Sequence, residues 1–430
     1  MKNIKSRLII MNFLQFAVWG SYLTSMGGYL FAAGYGELIG WFYAMQGIVS
    51  IFMPAIMGII ADKLIPAQRL LGLCHGIAAL FIAGAGFCGQ NDMLWPMFTL
   101  YSLSVAFYMP TLALSNSVAY TILEQGGYDT VKAFPPIRVF GTVGFIVAML
   151  VCDFAGFQSS PVQFFQCAII GVVLAVYAQM LPNCPVNRSS ENKSFAQRLG
   201  LDAFKLFKNK QMAMFFIFSM LLGVSLQITN GFANSFITSF KNIPEFANTF
   251  GANHANALIS LSQVSETLCI LLIPFCLKRF GIKRVMLIAM FAWVLRFGLF
   301  GLGNPGSGLW MFILSMIVYG VAFDFFNISG SLYVNENTSG QMRSSAQGLF
   351  MIMTNGIGAT VGTLGAQAVV NRLVPATESV DGVVTNGLSV VEGWSTTWLA
   401  FAGYALVVAL LFMVLFRYKH DANKQMDINH

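Results

Sequence analysis

Charge is what this 430-residue sequence has least of: 10% of its residues are Asp, Glu, Lys or Arg, against 57% hydrophobic ones. Water-soluble chains carry about 25% charged residues. A fully water-facing surface is therefore excluded, and lipid must solvate most of the molecule. Seven cysteines, at 74, 88, 152, 167, 184, 269 and 276, form no Cys-x-x-Cys pair, and most fall inside apolar runs. That spacing provides neither a disulfide framework nor a zinc site, so the thiols read as small core residues. The zinc-protease helix motif, the nucleophile elbow and the phosphate-binding loop are all missing. Metal, acyl-transfer and ATPase chemistry thus lack their residues. No metal or organic cofactor is expected, and any transport has to draw on an ion gradient.

What is present is a series of apolar runs, each near the roughly 20 residues that cross hydrocarbon as a helix. They lie near 8–32, 37–61, 70–90, 94–123, 134–154 and 161–182, then near 211–240, 255–277, 284–303, 307–334, 344–370 and 394–417. The basic start, Met1 to Arg7, leads into an apolar stretch without the short core and small-residue cleavage site of a signal peptide. It reads as a retained first span. The charged stretch 183–210 divides the runs six and six. The expectation is an all-α membrane protein of twelve transmembrane helices. Its parts are an N-terminal six-helix half (1–182), a linker (183–210), and a C-terminal six-helix half with a short tail (211–430).

Of the 24 lysines and arginines, 20 fall in alternate breaks, six of them in the linker. The opposite breaks hold only Lys241 and Arg372, and Arg138 and Arg296 lie within runs. Positive residues stay on the cytoplasmic side, so both termini and the linker are expected in the cytoplasm. The formal charge of +7 is this orientation signal, not a nucleic-acid footprint.

The halves echo each other. Gly58-Ile-Ile-Ala-Asp62-Lys63, followed by Arg69, joins spans two and three, and Lys278-Arg279-Phe-Gly281-Ile-Lys283-Arg284 joins spans eight and nine. Both resemble the short loop signature of the major facilitator superfamily, although the first copy is longer and lacks the closing glycine. The resemblance implies two pseudo-symmetric halves with a binding site between them at mid-membrane.

A charge at the bilayer centre costs about 2.5–3.5 kcal/mol on insertion scales, so it needs a partner or a purpose. Four such residues stand out: Glu266, Asp324, Arg296 and Arg138. Two acids and two bases within spans suggest ion pairing, proton handling, or both. Arg296 reads as a structural ion-pair partner. Arg138 either snorkels to the interface, if Pro135-Pro136 start its helix, or lies deeper, if the helix starts earlier. His75 and His254 sit near span ends and read as interfacial. Helical spacing places Gln263 with Glu266, Gln227 with Asn230, and Tyr319 with Phe323 on shared faces. Arg138, Thr142 and Phe145 form an i, i+4, i+7 stripe. Gln227 or Asn230 alone could be helix–helix glue, and Phe145 and Phe323, among forty phenylalanines, could be simple packing. Together, though, these groups suit a neutral ligand with a flat ring and several hydroxyls.

At the same residues the sequence resembles the nucleoside:proton symporters of the major facilitator superfamily, the NupG type. The likeness is carried by FLQFAVWGSYLTS (13–25), FMPAIMGIIADK (52–63), FPPIRVFGTVGF (134–145), GLDAFKLFKNK (200–210), FFIFSMLLGVSLQITN (215–230), SQVSETL (262–268) and SMIVYGVAFDFFNISGS (315–331). The resemblance implies a nucleoside site of Arg138, Thr142, Phe145, Gln227, Asn230, Gln263, Glu266, Tyr319, Phe323 and Asp324. It implies proton coupling at Asp324, with Glu266 and Arg138 taking part. The implied activity is uptake of purine and pyrimidine nucleosides, such as uridine, cytidine and adenosine, with a co-transported proton by alternating access, in a monomer of the inner membrane. The competing readings are a proton-coupled sugar or oligosaccharide permease of the same fold, a membrane-embedded enzyme, and a non-transporting sensor. The enzyme would need a clustered Asp/His or His–acid pair that the sequence does not display.

Overall fold

In a computed structural model, residues 3–186, 201–338, 340–381 and 383–418 are described. Part of the expected linker, 187–200, and the tail beyond 418 fall outside them. The chain divides into two compact units. The first comprises Met1–Tyr29 and Met45–Leu199, the second Leu30–Ala44 and Gly200–His430.

The first unit is built from α1 (Ile4–Gly20), the start of α2 (Met26–Ala32), most of α3 (Ile39–Lys63), α4 (Ala67–Gln90), α5 (Leu94–Gln125), α6 (Thr130–Phe154) and α7 (Val162–Gln179). Helix α4 packs on α5 and α7, and α1 packs on α6. The last pairing depends on Gly144, where a Cβ would run into the Phe13 backbone of α1. Small residues allow such backbone approach where lipid offers no hydrophobic drive to association. Helix α6 starts five residues before Pro135 and runs through both prolines. Arg138 thus lies within the helix, eight residues after its first residue, and not at its start.

The second unit contains α8 (Lys210–Ser239), a short α9 (Phe250–Asn253), α10 (Ala255–Ile270), α11 (Ile273–Leu302), α12 (Leu309–Asn337) and α13 (Gly340–Met351). A π-helical stretch (Ile352–Gly358) then leads into α14 (Ala359–Leu373), followed by a two-residue hairpin of β1 (Ser379–Val380) and β2 (Val383–Val384), and by α15 (Gly387–Leu415). An aromatic core of Phe236, Phe297, Phe300, Phe312, Trp394 and Trp398 ties α8, α11, α12 and α15 together, with the Phe300 and Trp398 rings 4.7 Å apart. The 30–44 segment is held here by Gln367 of α14. Its Nε2 donates to Gly36 O at 2.9 Å, and its Oε1 accepts from Gly40 N at 2.6 Å.

Among the described residues, ten helices are long and apolar enough to cross a membrane. Two of the expected spans are instead interrupted. The 8–32 run is α1 and α2 separated by turns at 21–25, and the 255–277 run is α10 and the beginning of α11. Within α11, Gly281 adopts φ 74°, ψ 165° and breaks the helix direction. A backbone with positive φ is open to glycine at little cost, which explains the glycine at the centre of the KRFGIKR motif.

Candidate functional site

In the first unit, the α6 stripe faces α1. Phe145 is buried, and Arg138 and Thr142 are half-buried. The Arg138 guanidinium lies over the Phe16 ring at 3.8 Å, a cation–π contact. Trp19 stands perpendicular to Phe145, with ring centroids 6.3 Å apart, and lies 6.0 Å from Tyr108. Its buried Nε1–H has no hydrogen-bond acceptor among the described residues.

Behind these rings runs a polar chain that the sequence did not reveal. Gln15 Nε2 donates to Thr111 Oγ1 at 2.8 Å, Gln15 Oε1 meets His75 Nε2 at 2.8 Å, and Tyr108 OH donates to Gln15 O at 2.9 Å. His75 is only 1% exposed, so its expected interfacial position is corrected: its partner, sixty residues away in sequence, draws it inside. His75, Tyr108 and Ser104 also line a small cavity with Tyr22 and Cys167. His254, by contrast, is half-buried at the α9–α10 junction against Phe250.

The second unit gathers the acids. Asp324 on α12 is 6% exposed, and its Oδ2 is buried with no hydrogen-bond partner among the described residues. Glu266, half-buried on α10, is close enough to act on it electrostatically, and both acids act on Tyr319. The Tyr319 and Phe323 rings stack 5.6 Å apart at 17°, an arrangement that their four-residue spacing allows. On α8, Asn230 Nδ2 donates to Gln227 Oε1 at 2.6 Å, and both amides are half-buried. Gln263 is half-buried one helical turn before Glu266.

Arg296 departs from its expected role. It is 2% exposed, yet no carboxylate among the described residues lies within ion-pair distance of it. Its Nη1 donates to Ser315 O at 2.7 Å, and its guanidinium lies 4.5 Å from the Tyr319 ring centroid. Ring face and carbonyl stand in for the anion.

The family model of the nucleoside H+ symporters matches residues 1–421. The chain belongs to that family. This symporter is 47% identical to the nucleoside permease NupG of Escherichia coli strain K12 over 421 residues, 97% of each chain. It is 48% identical to the xanthosine permease of the same strain over 425 residues, 98% of each chain. Its structure is similar to the crystal structure of a mutant of the nucleoside transporter NupG, with a TM-score of 0.90 and 46% identity, covering 96% of this chain and 100% of that one. The symporter is thus a multi-pass helical membrane transporter for nucleosides and not an enzyme, and its coupling ion is the proton.

Proposed function

We propose that this symporter accumulates purine and pyrimidine nucleosides, among them uridine, cytidine and adenosine, by alternating access, with Asp324 as the proton carrier. The observation that carries the reading is the Asp324 carboxyl group, buried beside Glu266 and Tyr319 with one oxygen that has no hydrogen-bond partner among the described residues. A bare carboxylate in such surroundings is expensive to keep dehydrated. A proton on Asp324 removes that charge while the loaded site is closed to water, and its release afterwards completes the cycle.

In this reading the base rests on Tyr319, Phe323 or Phe145, and the amides of Gln227, Asn230 and Gln263 read its edge. Glu266 and Arg138 bond the ribose hydroxyls, with Thr142 on the same α6 stripe as Arg138. The interrupted 8–32 and 255–277 runs complete twelve spans in halves 1–182 and 211–430. Both termini are cytoplasmic, and the monomer is the working unit.

The test is Asp324→Asn in proteoliposomes. Uridine counterflow should persist, because binding and exchange need no net proton movement. Accumulation driven by an imposed proton gradient should vanish. Accumulation at the unmodified level would remove Asp324 from the coupling step and leave Glu266 as the acid to examine.

A further inference from the structure

Arg296 touches the site at Tyr319 but has no role in the transport cycle proposed above, and an ordinary structural role does not explain it. Removing a cation from water costs several kcal/mol even after the protein relaxes, and apolar side chains could fill the same volume without that cost. The guanidinium nevertheless sits at 2% exposure without a carboxylate partner among the described residues. Apart from the Phe300 ring of its own helix, 5.4 Å away, it reaches the two helices that carry the acids. Nη1 donates to Ser315 O on α12 at 2.7 Å and approaches Ser262 Oγ on α10 at 3.4 Å. Ser315 Oγ donates back to Arg296 O at 3.0 Å. Ser262 adjoins Gln263 and lies four residues before Glu266, while Ser315 lies four residues before Tyr319. The guanidinium carbon is 4.5 Å from the centre of the Tyr319 ring, and Trp293 meets the same ring edge-on at 6.0 Å. Tyr319 in turn stacks on Phe323.

We infer that Arg296 is a positioning residue for the nucleobase: through its contact with the Tyr319 ring and its bonds to Ser315 and Ser262, it fixes the Tyr319–Phe323 aromatic pair relative to Gln263. The inference rests on the reading that this pair receives the base. A cation over an aromatic face is directional and is strongest when desolvated. It therefore sets the tilt of the ring, whereas an apolar neighbour would only fill space. A planar fork that holds a ring and a carbonyl at once is a task for arginine more than for lysine. Because a purine covers more of an aromatic ledge than a pyrimidine does, a loosened ledge penalises adenosine more than uridine.

The experiment compares Arg296→Met, Arg296→Lys and Tyr319→Leu with the unmodified symporter in proteoliposomes, measuring KM and kcat for uridine and adenosine. Arg296→Met should raise the adenosine KM about tenfold, equivalent to about 1.4 kcal/mol. The uridine KM should rise about threefold, with kcat within twofold for both. Arg296→Lys, which keeps a cation over the ring, should raise the adenosine KM about threefold. It carries the same test if the methionine variant does not insert. The effects of Arg296→Met and Tyr319→Leu should be less than additive when combined. Unchanged KM values in the inserted Arg296 variants, while Tyr319→Leu shifts them, would overturn the role of Arg296 alone. So would a fall in kcat at constant KM, or full additivity. Unchanged KM values in Tyr319→Leu would overturn the base site itself, and the inference with it.

Discussion

At the residue scale, polar side chains in apolar spans were legible because lipid makes each of them expensive. Glu266 and Asp324 could be singled out from cost alone, and the structure brings them into electrostatic reach of each other. Partners were not legible in the same way. The buried place of His75 depends on Gln15, and Arg296 is met by a ring and a carbonyl rather than by an acid. A helical face can be read from spacing, but a contact between distant helices cannot. The Gln227–Asn230 pair was readable as one face, and its 2.6 Å hydrogen bond shows Asn230 orienting the Gln227 amide. Gln227→Leu keeps much of the bulk but removes both polar groups. It should raise the KM for uridine up to about tenfold, the upper end of the roughly 0.5–1.5 kcal/mol net contribution of a hydrogen bond between neutral groups. Expression and thermal stability should change little. Transport assays at a series of uridine concentrations check this.

At the element scale, hydropathy located the runs but not their interruptions. The turns at 21–25 and the Gly281 break fall within or beside apolar sequence, where a window average sees no boundary. The start of α6 was obscured by Pro135-Pro136. Lipid-embedded helices tolerate proline because neighbouring groups satisfy the freed carbonyls. Glycine, by contrast, marks close approach. At Gly144 there is no room for a Cβ against the Phe13 backbone. Gly144→Leu should therefore force α1 from α6, displace Arg138 from the Phe16 ring and lower the thermal midpoint of the detergent-solubilised protein by several degrees. Gly144→Ala should have a smaller effect in the same direction. A thermal-shift series across glycine, alanine and leucine gives the comparison, and an unchanged midpoint for leucine would mean that the two helices do not pack as closely as described.

At the scale of the whole molecule, the family was readable from motifs running from the first span to the tenth, and the match over residues 1–421 agrees with it. The grouping of the 30–44 segment with the second unit was not readable, because it depends on the Gln367 amide reaching Gly36 and Gly40 far away in sequence. Function at this scale is energetic coupling. One proton entering down a potential of about 150 mV supplies roughly 3.5 kcal/mol, at about 2.3 kcal/mol per 100 mV. That sustains a nucleoside ratio of roughly two and a half decades, at about 1.4 kcal/mol per decade. The most direct measurement is uptake of radiolabelled uridine into proteoliposomes with and without an inward proton gradient, recorded together with external pH. Uridine should concentrate inside only when the gradient is imposed, with alkalinisation outside, and should be displaced by excess nucleosides but not by sugars. Equal accumulation without the gradient, or displacement by sugars in place of nucleosides, would contradict proton-coupled nucleoside uptake.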